Sequence, residues 1–271
     1  PPGEFRHQAR KRFGQNFLHD QNIIRRIIES IAPGPQDHIL EIGPGQGALT
    51  RLLLDSGARL DAVELDRDLA AYLERTFAQA LARGQLRLQQ ADILKFDVSS
   101  LAEPGERLRV VGNLPYNIST PCLFHLLRYA SLIKDMTFML QWEVVQRLAA
   151  SSGEEHYGRL GIMMQYYCQV EPLFTVPPGA FTPAPKVNSA IVRLTPYETL
   201  SLPARDLACL QNVVRTAFNQ RRKTLKNSLR GLITASELEA LSMDINARPE
   251  TLTLADYVAI SNAISGTPIH R

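Results

Sequence analysis

The chain has 271 residues, 45% apolar and 21% charged, with a net charge of +3. That composition excludes a disordered segment and suits one large domain, or a main domain with a small appendage. It also excludes a spanning helix, because no apolar run approaches the roughly 18 residues that one needs.

The opening Pro1-Pro2-Gly3-Glu4-Phe5 reads as a trimmed start, and no apolar core of a signal peptide follows it. Helical periodicity begins at Asn22, with Ile23, Ile24, Ile27, Ile28 and Ile31 on one face, and stops at Pro33-Gly34-Pro35. Strand and helix patterns then alternate. His38–Ile42 is expected as a buried strand, followed by a Gly-rich turn and a helix to about Leu54. Leu60–Leu65 follows as a strand, Asp66–Ala82 as one helix, and Leu86–Gln89 and Arg107–Val111 as strands. Ile118–Tyr129 is helical, Met136–Leu140 a strand and Trp142–Ala150 a helix. This rhythm predicts an α/β fold, a Rossmann-like doubly wound sheet. Farther on, Gln165–Val170 and Ala190–Leu194 are expected as strands pairing at one sheet edge, with a Pro-rich loop around Phe181 between them. From Pro203 only helical patterns remain: Leu207–Phe218, Thr224–Leu229, Ala235–Leu241 and Leu254–Ile264. The expected division is a catalytic domain over 1–198 and a small helical domain over 199–271.

Cys122, Cys168 and Cys209 are scattered and odd in number, and the six histidines are dispersed. Neither a disulfide framework nor a metal site is expected, and a cytoplasmic, reducing setting is the default. Two basic clusters stand out: Arg6, Arg10, Lys11 and Arg12, then Arg221, Arg222, Lys223, Lys226 and Arg230. Each alone reads equally as a solvated surface. Flanking a nucleotide-type domain, they point to a phosphate backbone.

Chemistry concentrates in two turns. The first, Glu41-Ile42-Gly43-Pro44-Gly45-Gln46-Gly47, sits at a strand end and opens a helix, where glycines admit close backbone approach. Its third Gly comes one residue early for a dinucleotide fingerprint, and Pro44 weakens that reading further. Glu64, roughly twenty residues on, can accept from both ribose hydroxyls of an adenosine cofactor. NAD and S-adenosylmethionine share that ribose, so both stay open at this point. Asp92 is placed to meet an adenine amine, although alone it would more often be a cap.

The second turn, Asn113-Leu114-Pro115-Tyr116, follows the fourth strand. The Asn113 side-chain oxygen and the Leu114 carbonyl can each accept one N–H of an aromatic amine, aiming its lone pair at an electrophilic methyl. Pro115 stiffens the loop. Tyr116 offers a ring for a flipped-out base. Phe181 is expected as an exposed aromatic closing on the other face, with a core anchor as the competing role. Asn16 is expected to face cofactor or RNA, with Phe17 and Leu18 as core contacts.

Taken together, Arg12-Phe13-Gly14-Gln15-Asn16-Phe17-Leu18, Glu41–Gly47, Val63-Glu64-Leu65-Asp66, Gly112–Tyr116, Phe181–Ser189 and Ala217–Leu225 resemble the KsgA family of ribosomal RNA adenine N6-dimethyltransferases nearly end to end. The resemblance implies a class I S-adenosylmethionine methyltransferase fold. It implies dimethylation of two adjacent adenosines in the 3′-terminal stem-loop of small-subunit ribosomal RNA, on a pre-30S or 30S-like particle, and a role in small-subunit biogenesis. A monomer that engages no membrane is expected. By family pattern Asn16, Leu18, Gly43, Glu64, Asp92 and Asn113 line the cofactor site, while Asn113, Leu114, Tyr116 and Phe181 handle the base. The macrolide-resistance type acting on large-subunit RNA is similar in several of these motifs, and Ala217–Leu225 favours the small-subunit enzymes. A nicotinamide-dependent oxidoreductase is the alternative from another class.

Overall fold

The computed structural model describes residues 15–266. The cluster Arg6, Arg10, Lys11 and Arg12, and the Arg12-Phe13-Gly14 part of the first matched segment, lie outside the described residues. The elements run β1 (Phe17–Leu18), α1 (Gln21–Ile31), β2 (His38–Ile42), α2 (Ala48–Asp55), β3 (Arg59–Glu64), α3 (Arg67–Thr76), α4 (Ala78–Ala82), β4 (Leu86–Gln90), β5 (Leu108–Asn113), α5 (Ser119–Leu127) and β6 (Ile133–Gln141). There follow α6 (Trp142–Ala149), α7 (Arg159–Tyr167), β7 (Cys168–Val176), β8 (Phe181–Thr182), β9 (Ser189–Pro196), α8 (Leu207–Asn219), α9 (Leu225–Ser228), α10 (Ala235–Ala240) and α11 (Leu254–Ser265). The chain divides into two compact units. One holds the residues up to Val145 with Glu171–Pro196; the other holds Gln146–Val170 with the residues from Tyr197.

In the first unit seven strands form one sheet in the order β4-β3-β2-β5-β6-β9-β7. Pairing is parallel from β4 through β6, and β9 returns antiparallel to β6. Strand order reverses between β2 and β5, which opens a crevice at their carboxyl ends. The strands of this centre are buried along nearly their whole length, as the apolar runs predict. Helix α1 starts where the Asp20 carboxylate accepts from the N–H groups of Asn22 and Ile23, and it buries Ile24, Ile27 and Ile31. Its last carbonyls are met from β5: Arg109 donates to Ile31 O at 2.5 Å, while pairing with Asp37 and Asp135.

Gly112 explains how closely β2 and β5 run. A Cβ there would lie 2.5 Å from the carbonyl oxygen of Ile42, so only glycine fits.

The second unit is helical around Tyr257, which is wholly buried and donates to Pro249 O at 2.7 Å. Phe218 stands between the rings of Tyr157 and Tyr257 at 6.2 and 6.0 Å. Helices α10 and α11 each begin with a reciprocal capping box, Thr234 with Glu237 and Thr253 with Asp256.

The expected elements differ from these in three places. The helix over Asp66–Ala82 is broken at Phe77, whose backbone leaves the helical region and whose buried ring packs against Gly47. Residues 165–167 are helical, and the strand begins at Cys168. Helix α7 is buried on almost every side, so it has no polar face to reveal a period of 3.6. The Pro-rich loop contains a strand: Phe17 pairs with Thr182 and Leu18 with Phe181. The expected edge pairing is present, with β9 and β7 neighbours at one end of the sheet.

Candidate active site

A cavity of about 300 Å³ occupies the crevice at the carboxyl ends of β2, β3 and β5. Asn16, Leu18, Gly43, Glu64, Asp92, Asn113 and Leu114 all line it. Tyr116 and Phe181 do not.

The turn after β2 is built by three left-handed glycines, Gly43, Gly45 and Gly47, at φ 64°, 60° and 84°. A side chain at Gly47 would drive into the Phe77 ring at 2.7 Å. The left-handed turn delivers the Gly45 N–H to Glu64 Oε1 at 3.1 Å.

Glu64 ends β3 and is only 6% exposed. Its second oxygen accepts from Asp66 N–H at 2.9 Å. The Leu65 amide bears on the same carboxylate, and three backbone donors still leave a carboxylate with acceptor capacity for a ligand hydroxyl. Burial pushes the carboxyl up to about 7, against the pull of the Asp66 and Gly45 amides. Asp66 is itself fixed, accepting from Gln15 Nε2 at 2.9 Å and capping α3. Asp92 holds the start of the next short turn through Leu94 N–H at 3.0 Å; one carboxylate oxygen makes that bond.

Asn113 closes β5. Its Nδ2 donates to the backbone carbonyl of Asn16 at 3.1 Å. That bond engages the amide nitrogen, and Asn113 lines the cavity. Leu114 is buried and tied to β6 by its N–H, which donates to Met139 O at 3.2 Å. The loop then turns: Ile118 N–H donates to Pro115 O, and the Ser119 hydroxyl to Tyr116 O. Tyr116 stands 51% exposed, between the lining residues Pro115 and Asn117.

Phe181 departs from the expected exposure. It is 4% exposed and belongs to the apolar core with Leu18, Ile24 and Ala180. Pairing with Leu18 draws it inward, so the anchor role describes its position here. Leu18 does both, packing in that core and lining the cavity.

Sequence reasoning passed over Glu41 as a site residue. It is 1% exposed, lines the cavity, and accepts from the Thr50 hydroxyl at 2.5 Å. Burial raises it to about 7, and the nearby Glu64 charge adds to the effect. A carboxylate inside an otherwise apolar strand was the available signal.

The charge of the lining discriminates between cofactors. Glu41, Glu64 and Asp92 contribute carboxyls, and among the described residues no Lys, Arg or His lines the cavity. A dinucleotide brings a pyrophosphate, for which these walls offer no cationic side chain. S-adenosylmethionine brings a sulfonium cation and a ribose, which they suit. That cofactor supplies an electrophilic methyl group. The chain's own part is to hold an acceptor nucleophile in line and to exclude water from it.

The comparisons with known proteins agree. The model of the family "Ribosomal RNA adenine dimethylase" matches residues 6–265. The Ribosomal RNA small subunit methyltransferase A of Pseudomonas syringae pv. syringae (strain B728a) is 58% identical over 262 residues, covering 97% of each chain. Among solved structures, a dimethyladenosine transferase from Plasmodium falciparum is 26% identical with a TM-score of 0.75, over 90% of this chain and 95% of that one. The 23S rRNA methyltransferase ErmE is 25% identical with a TM-score of 0.69, over 92% and 100%. A match across almost the whole chain, on a cavity whose walls favour a sulfonium over a pyrophosphate, places the protein in the ribosomal RNA adenine dimethylase family, as an S-adenosylmethionine-dependent rRNA adenine dimethyltransferase.

Proposed function

We propose that this enzyme dimethylates N6 of two adjacent adenosines in the 3′-terminal stem-loop of small-subunit (16S) ribosomal RNA, and that this takes part in small-subunit biogenesis. The observation that carries the reading is the Asn113 amide, whose nitrogen is held by Asn16 O. In this reading Oδ1 and the Leu114 carbonyl accept the two N–H bonds of the adenine amine. That draws its nitrogen toward tetrahedral geometry and aims the lone pair at the methyl carbon. Tyr116 stacks on the extruded base. Phe181 joins it only if its ribbon shifts to release the ring. Asn16, Leu18, Gly43, Glu64, Asp92 and Asn113 hold the cofactor, with Glu64 accepting from the ribose hydroxyls.

Similarity to a small-subunit enzyme at 58% identity, against 25% for the large-subunit enzyme, supports the choice of RNA. The substrate is a pre-30S or 30S-like particle in the cytoplasm, met by a monomer. The part from residue 199 onward supplies the RNA grip, through the exposed Arg222, Lys223 and Arg230. Arg221 belongs elsewhere: it donates to Tyr157 O at 2.8 Å and lies over the Phe218 ring.

Transfer of labelled methyl groups to undermethylated small subunits, followed by mapping of the modified bases, tests the reading. Two adjacent dimethyladenosines near the 3′ end are expected. Label in large-subunit RNA alone would overturn it.

A further inference from the structure

Three large apolar side chains remain exposed at the sheet rim nearest Asn113: Tyr116, Trp142 and Val187. Their nearness follows from register. Asn113 pairs with Met139 across β5 and β6, and Leu114 is bonded to the same Met139 carbonyl. Tyr116, in the loop after β5, and Trp142, the first residue of α6, each lie three residues beyond that pair, where the two adjacent strands have ended. On the far side Gln141 pairs with Ser189, and Trp142 N–H donates to Asn188 O at 2.9 Å. Lys186 and Val187, both exposed, are the next residues back along the chain from that Asn188 carbonyl.

An indole left 37% exposed forgoes burial that a Trp side chain ordinarily obtains. Trp142 opens α6, and that helix's own core contribution comes from Val144, Val145 and Leu148, so packing does not demand an aromatic residue at its first position. Exposed aromatic rings beside a cation are what single-stranded nucleic acid uses: bases stack on the ring and the cation meets the phosphate. A base taken out of its stack also leaves its neighbour without a partner, and that neighbour needs a surface.

We propose that Trp142 is a stacking platform for the nucleotide next to the target adenosine, with Lys186 as counter-charge to the intervening phosphate. The assignment rests on the reading that the target base reacts at Asn113. It adds a second base position along the rim, so that two neighbouring nucleotides are held while one is methylated. RNA is favoured over a protein partner because the patch continues the rim of the base site and the enzyme's substrate is ribosomal RNA.

Trp142 is the only tryptophan in the chain, so its emission reports on this position alone. Titrating the cofactor-loaded enzyme with an RNA stem-loop carrying two adjacent adenosines should quench that emission saturably. Trp142→Ala should raise KM for the RNA by about five- to twentyfold, with kcat and cofactor affinity unchanged, and Trp142→Phe should recover most of the loss. Unquenched emission on a bound stem-loop, or an unaltered KM in Trp142→Ala, would overturn the proposal. So would quenching that persists with small subunits lacking the 3′-terminal stem-loop, which would put a ribosomal protein on the ring. An active Asn113→Ala enzyme would sink the reading of the reacting edge, and the quenching and KM results would still decide Trp142 separately.

Discussion

The Asn113 side-chain nitrogen is bonded to the backbone carbonyl of Asn16 at 3.1 Å, across 97 positions of sequence. The bond holds the nitrogen end of the amide, and in the proposed reading it leaves Oδ1 as the acceptor for the adenine amine before any substrate arrives. Preorganised acceptors of this kind lower a barrier because they need no rearrangement as the nucleophile develops. Asn113→Ala removes the acceptor and leaves Glu64, Asp92 and the glycine turn in place. Methyl transfer should fall by about a hundredfold or more, while the cofactor dissociation constant stays within a few-fold. Single-turnover transfer and calorimetry on the same preparation check both halves.

Glu64 ties cofactor affinity to pH. Burial raises it to about 7, and ribose hydroxyls donate to the ionised form. Affinity for S-adenosylmethionine should therefore rise by about tenfold between pH 6 and 8. Glu64→Gln should bind more weakly and with a flatter profile. A wild-type profile as flat as that of the variant would exclude Glu64 as the titrating group.

Stability should run the other way with pH. Glu41 and Glu64 hold their protons to about 7 when folded, against an ordinary value of 4.5. Losing those protons above 4.5 thus favours the unfolded chain. His38 adds to the same trend. Burial lowers it, but its bonds to Asp61 and Glu106 outweigh that and raise it. Its stabilisation is full at low pH and is lost as pH rises through the folded value. Asp61 and Glu106 are buried too, yet their bonds to His38, Arg87 and Arg59 hold them below the usual range. Their contribution is lost on acidification. Ligand-free protein should be most stable near pH 5 and weaker at pH 8 by on the order of 5 kcal/mol, as urea midpoints across that range would show.

Phe181 separates packing from recognition. As a core ring it should cost about 3–5 kcal/mol on truncation to Ala. Phe181→Leu should recover most of that stability. If the ring also reaches the base during the reaction, the Leu variant will fold normally and still show a raised KM for RNA. Restored stability with an unchanged KM would confine the residue to the core.

The late basic cluster should contribute through charge. Replacing Arg222 and Lys223 by Gln should flatten the dependence of particle binding on salt, by a slope of about one per lost phosphate contact. Arg221→Gln should act differently, loosening the helical unit through Tyr157 and Phe218. An unchanged salt slope in the double variant would take these residues off the RNA.

The strands of the sheet centre were legible because their apolar runs end at glycines and carboxylates, and the two active turns sit at those ends. Legible, too, was the set Asn16, Gly43, Glu64, Asp92 and Asn113, which the fold brings to one cavity. Helix α7 was missed because a helix buried all round has no alternation to read. The Phe17–Leu18 ribbon was missed because a two-residue strand has no period; its partner lies more than 160 positions away. Glu41 was visible as an acid in the sequence, but its share of the cavity depends on the turn that Gly43, Gly45 and Gly47 make.

That short ribbon constrains how the enzyme can change. Asn16 immediately precedes Phe17, which is paired with Thr182, and Phe181 is paired with Leu18. The placement of the Asn113 carboxamide is therefore inherited from the segment that buries Phe181. A substitution that repacks Phe181 would reach Asn113 through Asn16, so changes in this part of the core and changes at the cavity have to be made together.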